Sequence, residues 1–144
     1  MSYIEKLDLI IWGATGFTGQ LVSQYINKTY SSTNLKWGIA GRNKEKIFSI
    51  AKKLKINDDR VFIAESKNLE SLIKLTSKTK VICTTVGPYA KLGTNLIEAC
   101  ISTGTDYCDI TGETQWIRRI IDKYHKLAEE KNIKIINSCG FDSI

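Results

Sequence analysis

Three glycines spaced three residues apart, Gly13, Gly16 and Gly19, follow the first apolar run of the chain. In a dinucleotide-binding loop, one glycine permits a sharp turn, the next lets a pyrophosphate approach the backbone, and the last lets a helix pack closely on the sheet. Amides at the start of that helix, at the positive end of its dipole, bind the phosphates. We therefore expect unengaged amides along the loop that comprises Gly13, Ala14, Thr15, Gly16, Phe17, Thr18 and Gly19.

The glycine loop has two alternative interpretations. The spacing GxxGxxG is one residue longer than GxGxxG, so the motif is a variant. A Walker A loop is excluded because Gly19 is followed by Gln20 and Leu21, where that motif needs Lys and then Ser or Thr. A tight strand–helix turn made only for packing remains the alternative.

Arg42 follows the second predicted strand, at the position that selects the cofactor in such domains. An acid there accepts hydrogen bonds from the ribose of NAD, whereas an arginine accommodates the 2′-phosphate of NADP. The segment 35–44 contains no Asp or Glu. A guanidinium also fits a phosphate in bidentate fashion. The sequence therefore predicts NADP(H) in preference to NAD, and an exposed loop cation without a ligand is the alternative.

The loop after the fourth predicted strand is expected to border the ribose and nicotinamide of the cofactor. Its candidate residues are Val86, Gly87, Pro88 and Tyr89. The Tyr89 ring could stack on the ligand, donate a hydrogen bond, or simply pack against the protein.

The loops after the fifth and sixth predicted strands carry carboxylates, Asp109, Glu113 and Asp142, where a substrate or a second domain would approach. Glu113 could equally be a first-turn acid of the following helix. None of the six tyrosines has a lysine four residues later, so the Tyr-x-x-x-Lys pair of short-chain dehydrogenases is missing. The catalytic residues stay unassigned.

Strand and helix patterns alternate six times along the chain. Apolar runs predict strands, and stripes of apolar residues at helical spacing predict helices. The predicted strands are 7–12, 35–40, 60–64, 80–86, 106–110 and 133–137. Helices are predicted from Phe17 to about Asn27, after an Asn43 cap, around Leu69–Ile73, at 94–102 and at about 114–131.

This alternation predicts an α/β fold with a doubly wound, six-stranded parallel Rossmann sheet and helices on both faces. Right-handed crossovers favour the strand order 3-2-1-4-5-6. Residues 1–144 contain no repeat or linker-like stretch, so we expect a single domain. Ligands of such sheets bind at the carboxyl ends of the strands, next to strands 1 and 4.

The composition excludes several classes of protein. The net charge is +6, and residues 1–80 hold 14 Lys and Arg against 7 Asp and Glu. These lysines fall between apolar helix positions, which disfavours nucleic-acid binding and suits an anionic cofactor nearby. No apolar stretch could cross a bilayer, and no secretory signal is visible, so a cytoplasmic location is expected.

Four cysteines, Cys83, Cys100, Cys108 and Cys139, form no CxxC pair and have only His125 to accompany them. This spacing predicts no metal site. Four reduced and mostly buried thiols are expected. His125 lies mid-helix and is expected to be solvated and not catalytic.

Five segments in this order resemble the N-terminal domain of the saccharopine dehydrogenase-like oxidoreductases: IWGATGFTGQLV, WGIAGRNKEK, TTVGPYAKLG, GTDYCDITGE and SCGFDSI. Mycobacterial trans-acting enoyl reductases look like the same family. The resemblance implies a Rossmann NAD(P)-binding domain. It also places Gly13, Gly16, Gly19 and Arg42 at cofactor-binding positions and Val86 to Tyr89 on the nicotinamide side.

In that family a larger substrate and dimerisation domain follows, and it is absent from this sequence. The resemblance thus implies the NADP(H)-binding part of an oxidoreductase, inactive alone, that acts with an unknown small-molecule or lipid substrate and dimerises through the absent domain. A non-catalytic nucleotide-binding sensor is the alternative. An absent domain would also leave an exposed apolar patch around Ile133, Ile135 and Ile144.

Overall fold

The computed structural model describes residues 5–140, in which six strands alternate with helices. The strands are β1 (Leu7–Trp12), β2 (Trp37–Gly41), β3 (Val61–Ile63), β4 (Thr79–Thr84), β5 (Asp106–Asp109) and β6 (Ile135–Ile136). The helices are α1 (Phe17–Tyr30), α2 (Lys44–Leu54), α3 (Leu69–Thr76), α4 (Tyr89–Leu92), α5 (Thr94–Thr103) and α6 (Thr114–Glu130). A 3₁₀ turn, Asp58–Arg60, precedes β3.

All strand pairs are parallel, and their order is β3-β2-β1-β4-β5-β6. The predicted sheet and its strand order are confirmed. The direction of winding reverses between β1 and β4, which opens a crevice at the carboxyl ends of these two strands. The glycine loop that follows β1 and the loop that follows β4 therefore meet at this crevice.

Two hydrophobic clusters cover the two faces of the sheet. The first packs α3, α5 and α6 against β1, β4 and β5, and it includes Trp12, Ile82 and Trp116. The second packs α1 and α2 against β1, β2 and β3, and it includes Ile39 and Ile47. Helices therefore lie on both faces, as predicted.

Local capping fixes where several helices begin and end. The Asn43 side chain accepts a hydrogen bond from the Lys46 amide and starts α2, as predicted. Asn68 caps α3 in the same way, and Gly104, with φ of +69°, ends α5. The four-residue helix α4 was not predicted, because Gly87 and Pro88 before it indicate a loop.

The β6 edge of the sheet carries a groove of about 310 Å³ against α6. Ile133 is buried, at 8% exposure, whereas Ile136 is 51% and Ile121 41% exposed. An apolar patch is present at this edge, but its exposed residues are Ile121 and Ile136. Of the residues predicted for it, Ile133 is buried and Ile135 is half-buried. Ile144 lies outside the described residues.

Within residues 5–140, no helix is both long and apolar enough to cross a bilayer. The same residues hold no group of three or more His, Cys, Asp or Glu side chains arranged for a metal ion. All four cysteines are free thiols. The expectation that they are mostly buried is wrong, because only Cys100 is buried and Cys139 is exposed.

Candidate functional site

A cleft of about 270 Å³ lies at the carboxyl ends of β1 and β4. Residues from four loops line it: Trp12, Gly13, Thr15, Gly16, Gly41, Arg42, Ser66, Thr85, Val86, Gly87 and Leu92. Six of the twelve predicted binding residues are in this lining, namely Gly13, Thr15, Gly16, Arg42, Val86 and Gly87. The fold thus brings the glycine loop, the β2 end and the β4 loop together.

Gly13 and Gly19 are glycines because the protein itself leaves no room for a side chain. Gly13 has φ of +90°, and a Cβ there would lie 2.6 Å from Val86 Cγ2. A Cβ on Gly19 would lie 2.0 Å from the Gly13 carbonyl oxygen and 2.9 Å from Ala14 Cα. The roles predicted for these two positions, a sharp strand exit and close helix packing, are therefore what the geometry requires.

Gly16 differs, because a Cβ there would meet only the Gly13 carbonyl oxygen, at 3.4 Å. This is ordinary van der Waals contact, so the protein does not require a glycine at this position. The residue is exposed, lines the cleft and precedes the first turn of α1. A ligand that approaches the backbone here would account for the missing side chain.

The expectation that all amides of the loop are unengaged is wrong in part. The amides of Gly13 and Ala14 both donate to the Ala40 carbonyl, at 3.0 and 3.1 Å, and the Gly16 amide donates to the Gly13 carbonyl at 3.0 Å. Within the described residues, the amides of Thr15, Phe17 and Thr18 have no acceptor. Phe17 and Thr18 begin α1, and an α-helix has no intrahelical acceptors for its first-turn amides.

These free amides fit a pyrophosphate. They lie at the positive end of the α1 dipole, and the first turn of α1 contains no acidic residue. Three other residues of the loop do not line the cleft. Ala14 and Gly19 are buried, and the Phe17 ring is 82% exposed.

Arg42 lies at the cleft, directly after β2, and its side chain is exposed. Ser66, in the loop after β3, lines the same cleft. Sequence reasoning missed Ser66, although polar residues after the third strand of such a sheet are the signal that could have found it. A cation and a hydroxyl at this end suit a phosphate on the adenosine ribose.

The β4 loop is anchored to the glycine loop. The Thr85 amide donates to the Trp12 carbonyl at 3.1 Å, and the Val86 amide donates to Thr84 Oγ1 at 3.2 Å. Val86 and Gly87 line the cleft, whereas Pro88 is exposed outside its lining. This loop forms the wall opposite Arg42.

The Tyr89 side chain points into the core. It is 6% exposed, its hydroxyl donates to the Thr84 carbonyl at 3.1 Å, and its ring packs on Trp116 at 5.7 Å between centroids. Burial raises the pKa of Tyr89 well above its usual range, so the hydroxyl stays protonated. Of the three roles considered for this ring, packing against the protein is the one that the contacts show.

Glu113 also has a different role from those considered. Its two carboxylate oxygens accept hydrogen bonds from the amides of Tyr89, at 2.6 Å, and Ala90, at 2.8 Å. It makes no side-chain cap on α6, the helix that follows it. Glu113 therefore caps α4 from a distance of 24 residues in sequence.

Asp109 is fully occupied inside the protein. Its carboxylate, 1% exposed, accepts hydrogen bonds from the Tyr107 hydroxyl, the Asn137 side chain and the amides of Thr111 and Ser138. It joins the ends of β5 and β6. The prediction that Asp109 faces a substrate or a second domain is therefore wrong, because its carboxylate is buried and occupied. Asp142 lies outside the described residues.

His125 is exposed on α6, where solvation was expected, and it lines the groove at the β6 edge and not the cleft. Within residues 5–140, Arg42 is the only ionisable side chain in the lining of the cleft. The cleft can therefore bind and orient a phosphorylated ligand, and it supplies no acid–base group of its own.

The chain is similar to a known protein family and to curated relatives. Residues 9–136 match the model of the saccharopine dehydrogenase NADP binding domain. Curated relatives include the trans-acting enoyl reductases of Mycobacterium ulcerans (strain Agy99) and Mycobacterium tuberculosis (strain ATCC 25618 / H37Rv). Each is 37% identical over 142 residues, which cover 97% of this chain and 34% of the relative. The chain thus spans about a third of the length of these relatives.

Solved structures share the fold. Apo saccharopine dehydrogenase (L-Glu forming) from Saccharomyces cerevisiae superposes with a TM-score of 0.73 at 18% identity, over 93% of this chain and 27% of that one. A 1-deoxy-D-xylulose 5-phosphate reductoisomerase from Zymomonas mobilis, in complex with NADPH, gives a TM-score of 0.61 at 12% identity, over 92% and 39% of the two chains.

The glycine loop, the free amides at the start of α1 and Arg42 are thus found in a chain that matches this family over nearly its whole described length. On this evidence the chain belongs to the saccharopine dehydrogenase NADP binding domain family.

Proposed function

We propose that this domain binds NADP(H) in the cleft between β1 and β4 and holds it for hydride transfer in an oxidoreductase whose substrate site lies in a second domain. The observation that carries this proposal is that Thr15, whose amide is free, Gly16, which directly precedes α1, and Arg42 line one cleft. The free first-turn amides of Phe17 and Thr18 directly follow Gly16 in the chain. When bound, the nicotinamide supplies the hydride chemistry, and the domain supplies position and charge.

Different residues at the cleft would bind different parts of the NADP(H) molecule. The amides of Thr15, Phe17 and Thr18 would hold the pyrophosphate, and the open backbone at Gly16 would allow its approach. Arg42, with Ser66 nearby in the lining, would hold the 2′-phosphate. Val86 and Gly87 would border the nicotinamide ribose.

The names of the relatives support a reductase. Trans-acting enoyl reductases at 37% identity are enzymes of this class, and two thirds of their length lies outside the matched region. We propose that this domain likewise acts with a substrate and dimerisation domain, which would cover the exposed β6 edge at Ile136.

The unpaired state of the four cysteines supports a cytoplasmic location.

Arg42→Gln tests the cofactor assignment. Replacing the guanidinium removes a charge-assisted contact with the 2′-phosphate, so the Kd for NADPH should rise about tenfold or more. The Kd for NADH, which lacks that phosphate, should change by less than about twofold. Both are measured by calorimetric titration of the 144-residue chain.

Arg119→Gln is the matched control, because Arg119 is an exposed arginine on α6, away from the cleft. It should leave both affinities unchanged. Equal loss of NADPH and NADH binding in Arg42→Gln, or equal affinity of the unaltered chain for the two cofactors, would contradict the assignment.

A further inference from the structure

Cys83 on β4 and Cys108 on β5 lie directly opposite each other in the parallel register of the two strands. Register partners on neighbouring strands are about 4.8 Å apart, and their side chains point to the same face of the sheet. A disulfide requires a separation between Cα atoms of roughly 4.4–6.8 Å. The backbone therefore already has the spacing that a bond between these two cysteines needs.

Both thiols are accessible in part. Cys83 and Cys108 have intermediate exposure, whereas Cys100 is fully buried within the first cluster. Cys83 packs at the margin of the second cluster, where α1 and α2 cover β1 to β3. Cys108, one strand farther out on the same face, lies beyond that cover among the described residues. A small oxidant can approach the pair from this side.

The two thiols also differ in reactivity. The neighbouring Cys108 thiol lowers the pKa of Cys83 below its ordinary value, and the same interaction, with burial, raises the pKa of Cys108. Burial of Cys83 and, to a smaller extent, the nearby Cys139 and Asp109 act against this lowering of its pKa but do not reverse it. Since the thiolate is the nucleophile, Cys83 is the member of the pair that reacts first.

We propose that Cys83 and Cys108 form a dithiol that hydrogen peroxide oxidises reversibly to a disulfide. The Cys83 thiolate attacks one peroxide oxygen, the O–O bond breaks, and the departing hydroxide takes a proton to leave as water. The Cys108 sulfur then attacks the Cys83 sulfenic acid, the S–O bond breaks, and a second water leaves with the Cys108 proton. Two thiols are oxidised and one peroxide is reduced to two waters.

The position of this pair ties it to the cleft. Cys83 immediately precedes Thr84, whose hydroxyl accepts a hydrogen bond from the Val86 amide within the β4 loop. The next residue, Thr85, donates its amide to the Trp12 carbonyl at the end of β1. Cys108 immediately precedes Asp109, which joins the ends of β5 and β6. A bond between the two cysteines would therefore link the two strand ends that position the loops of the nicotinamide side.

The test is peroxide oxidation of the reduced 144-residue chain at neutral pH, followed by thiol blocking and peptide mass spectrometry without reductant. Trypsin releases Cys83 between Lys80 and Lys91, but it leaves Cys100 and Cys108 in one peptide. The experiment is therefore run in Cys100→Ala, which leaves one cysteine in each linked peptide. We expect a Cys83–Cys108 linked peptide, loss of two hydrogen atoms from the intact mass, and reversal by dithiothreitol.

Single variants separate this pair from the other thiols. Cys83→Ser and Cys108→Ser should each abolish the linked product, whereas Cys139→Ser should retain it, with folding of each variant checked by circular dichroism. A bond that contains Cys139, oxidation of Cys83 to the sulfinic acid without any linked peptide, or an unchanged mass would each overturn the proposal.

Discussion

Gly16 and Gly19 lie in one loop, yet different forces account for them. Gly19 has no room for a side chain because the Gly13 carbonyl would lie 2.0 Å from its Cβ. Gly16 has room, since its closest contact would be at 3.4 Å. Gly19 therefore serves the fold, and Gly16 is free to serve a ligand. This difference allows folding and binding to be tested separately within a span of four residues.

Gly16→Ala and Gly19→Ala form a matched pair of substitutions. We expect Gly16→Ala to change the free energy of unfolding by less than about 1 kcal/mol and to weaken NADPH binding more than about tenfold, because the methyl group enters the space of the pyrophosphate. Gly19→Ala should lower the free energy of unfolding by about 3 kcal/mol, because backbone atoms must move apart. Urea unfolding and NADPH titration measure the two effects, and unchanged binding in Gly16→Ala would argue against a pyrophosphate at this position.

For individual residues, the sequence predicted backbone roles better than side-chain roles. The glycine spacing identified the loop because steric demands are local and type-specific. The direction of the Tyr89 side chain and the bonding of Glu113 depend on residues that are 24 positions apart in sequence but meet in space. No local pattern encodes such a meeting. The engaged amides of Gly13 and Ala14 likewise depend on Ala40 in a neighbouring strand.

The short helix α4 illustrates how one element depends on another. Its first amides, those of Tyr89 and Ala90, are satisfied by the Glu113 carboxylate, which lies just before α6. Four residues cannot form a stable helix alone, because nucleation costs more than one turn of hydrogen bonds returns. Tertiary contacts with Glu113 and Trp116 therefore hold α4, and α4 in turn continues the β4 loop at the cleft.

Glu113→Ala tests this dependence. Two charge-assisted hydrogen bonds are lost, and the first amides of α4 lose their acceptor, so the free energy of unfolding should fall by about 1–3 kcal/mol. Glu130→Ala, at an exposed position at the end of α6, is the control and should have an effect within about 0.5 kcal/mol. Thermal and urea unfolding measure both. Equal effects in the two variants would mean that the cap does not stabilise the fold.

Asp8, near the amino-terminal end of β1, makes a second contact between elements. Asp8 accepts a hydrogen bond from Lys80 Nζ on β4, at 2.7 Å, and one from the Lys36 amide before β2, at 2.9 Å. These hydrogen bonds, that of Lys80 first, lower the pKa of Asp8 below its ordinary value. Three neighbouring segments of the sheet are thus joined by one carboxylate.

The lowered pKa of Asp8 determines how this contact depends on pH. A carboxyl group with a lowered folded-state pKa contributes stability above its ordinary pKa of about 3.9, and that contribution disappears as the pH falls through the folded-state value. Asp8→Asn should therefore cost up to about 1 kcal/mol at neutral pH and nothing in strong acid. Urea unfolding from pH 7 down to about 2 measures the difference, with the exposed Asp59→Asn as control. A cost independent of pH would refute the electrostatic explanation.

Element order and sheet topology were predictable because periodicity and crossover handedness leave few arrangements for six alternating strands. β1 begins and ends where the apolar run does, at Leu7 and Trp12. The later strands are shorter than predicted, most of all β6, which has two residues. An apolar run shows which residues can be buried, but pairing with β5 decides how many of them form a strand.

Over the whole molecule, the reversal of strand order between β1 and β4 concentrates the binding groups at one edge. The predicted excess of positive charge in residues 1–80 coincides with the half of the sheet that carries the glycine loop and Arg42. An anionic dinucleotide would therefore be attracted to the half that we propose binds its phosphates. The other half ends at the exposed β6 edge, where we propose that another domain makes contact.

Ligand binding at this junction of the two halves should stabilise the entire fold, because the cleft exists only when β1 and β4 are paired. At a concentration 100 times its Kd, a ligand that binds only the folded state adds about 2.7 kcal/mol. For a chain of this size that should raise the Tm by roughly 10 °C. NADH at the same concentration should raise it much less, because it lacks the phosphate that Arg42 would bind. Differential scanning calorimetry measures both shifts. A larger shift with NADH, or none with NADPH, would mean that the cleft is not built for the phosphorylated cofactor.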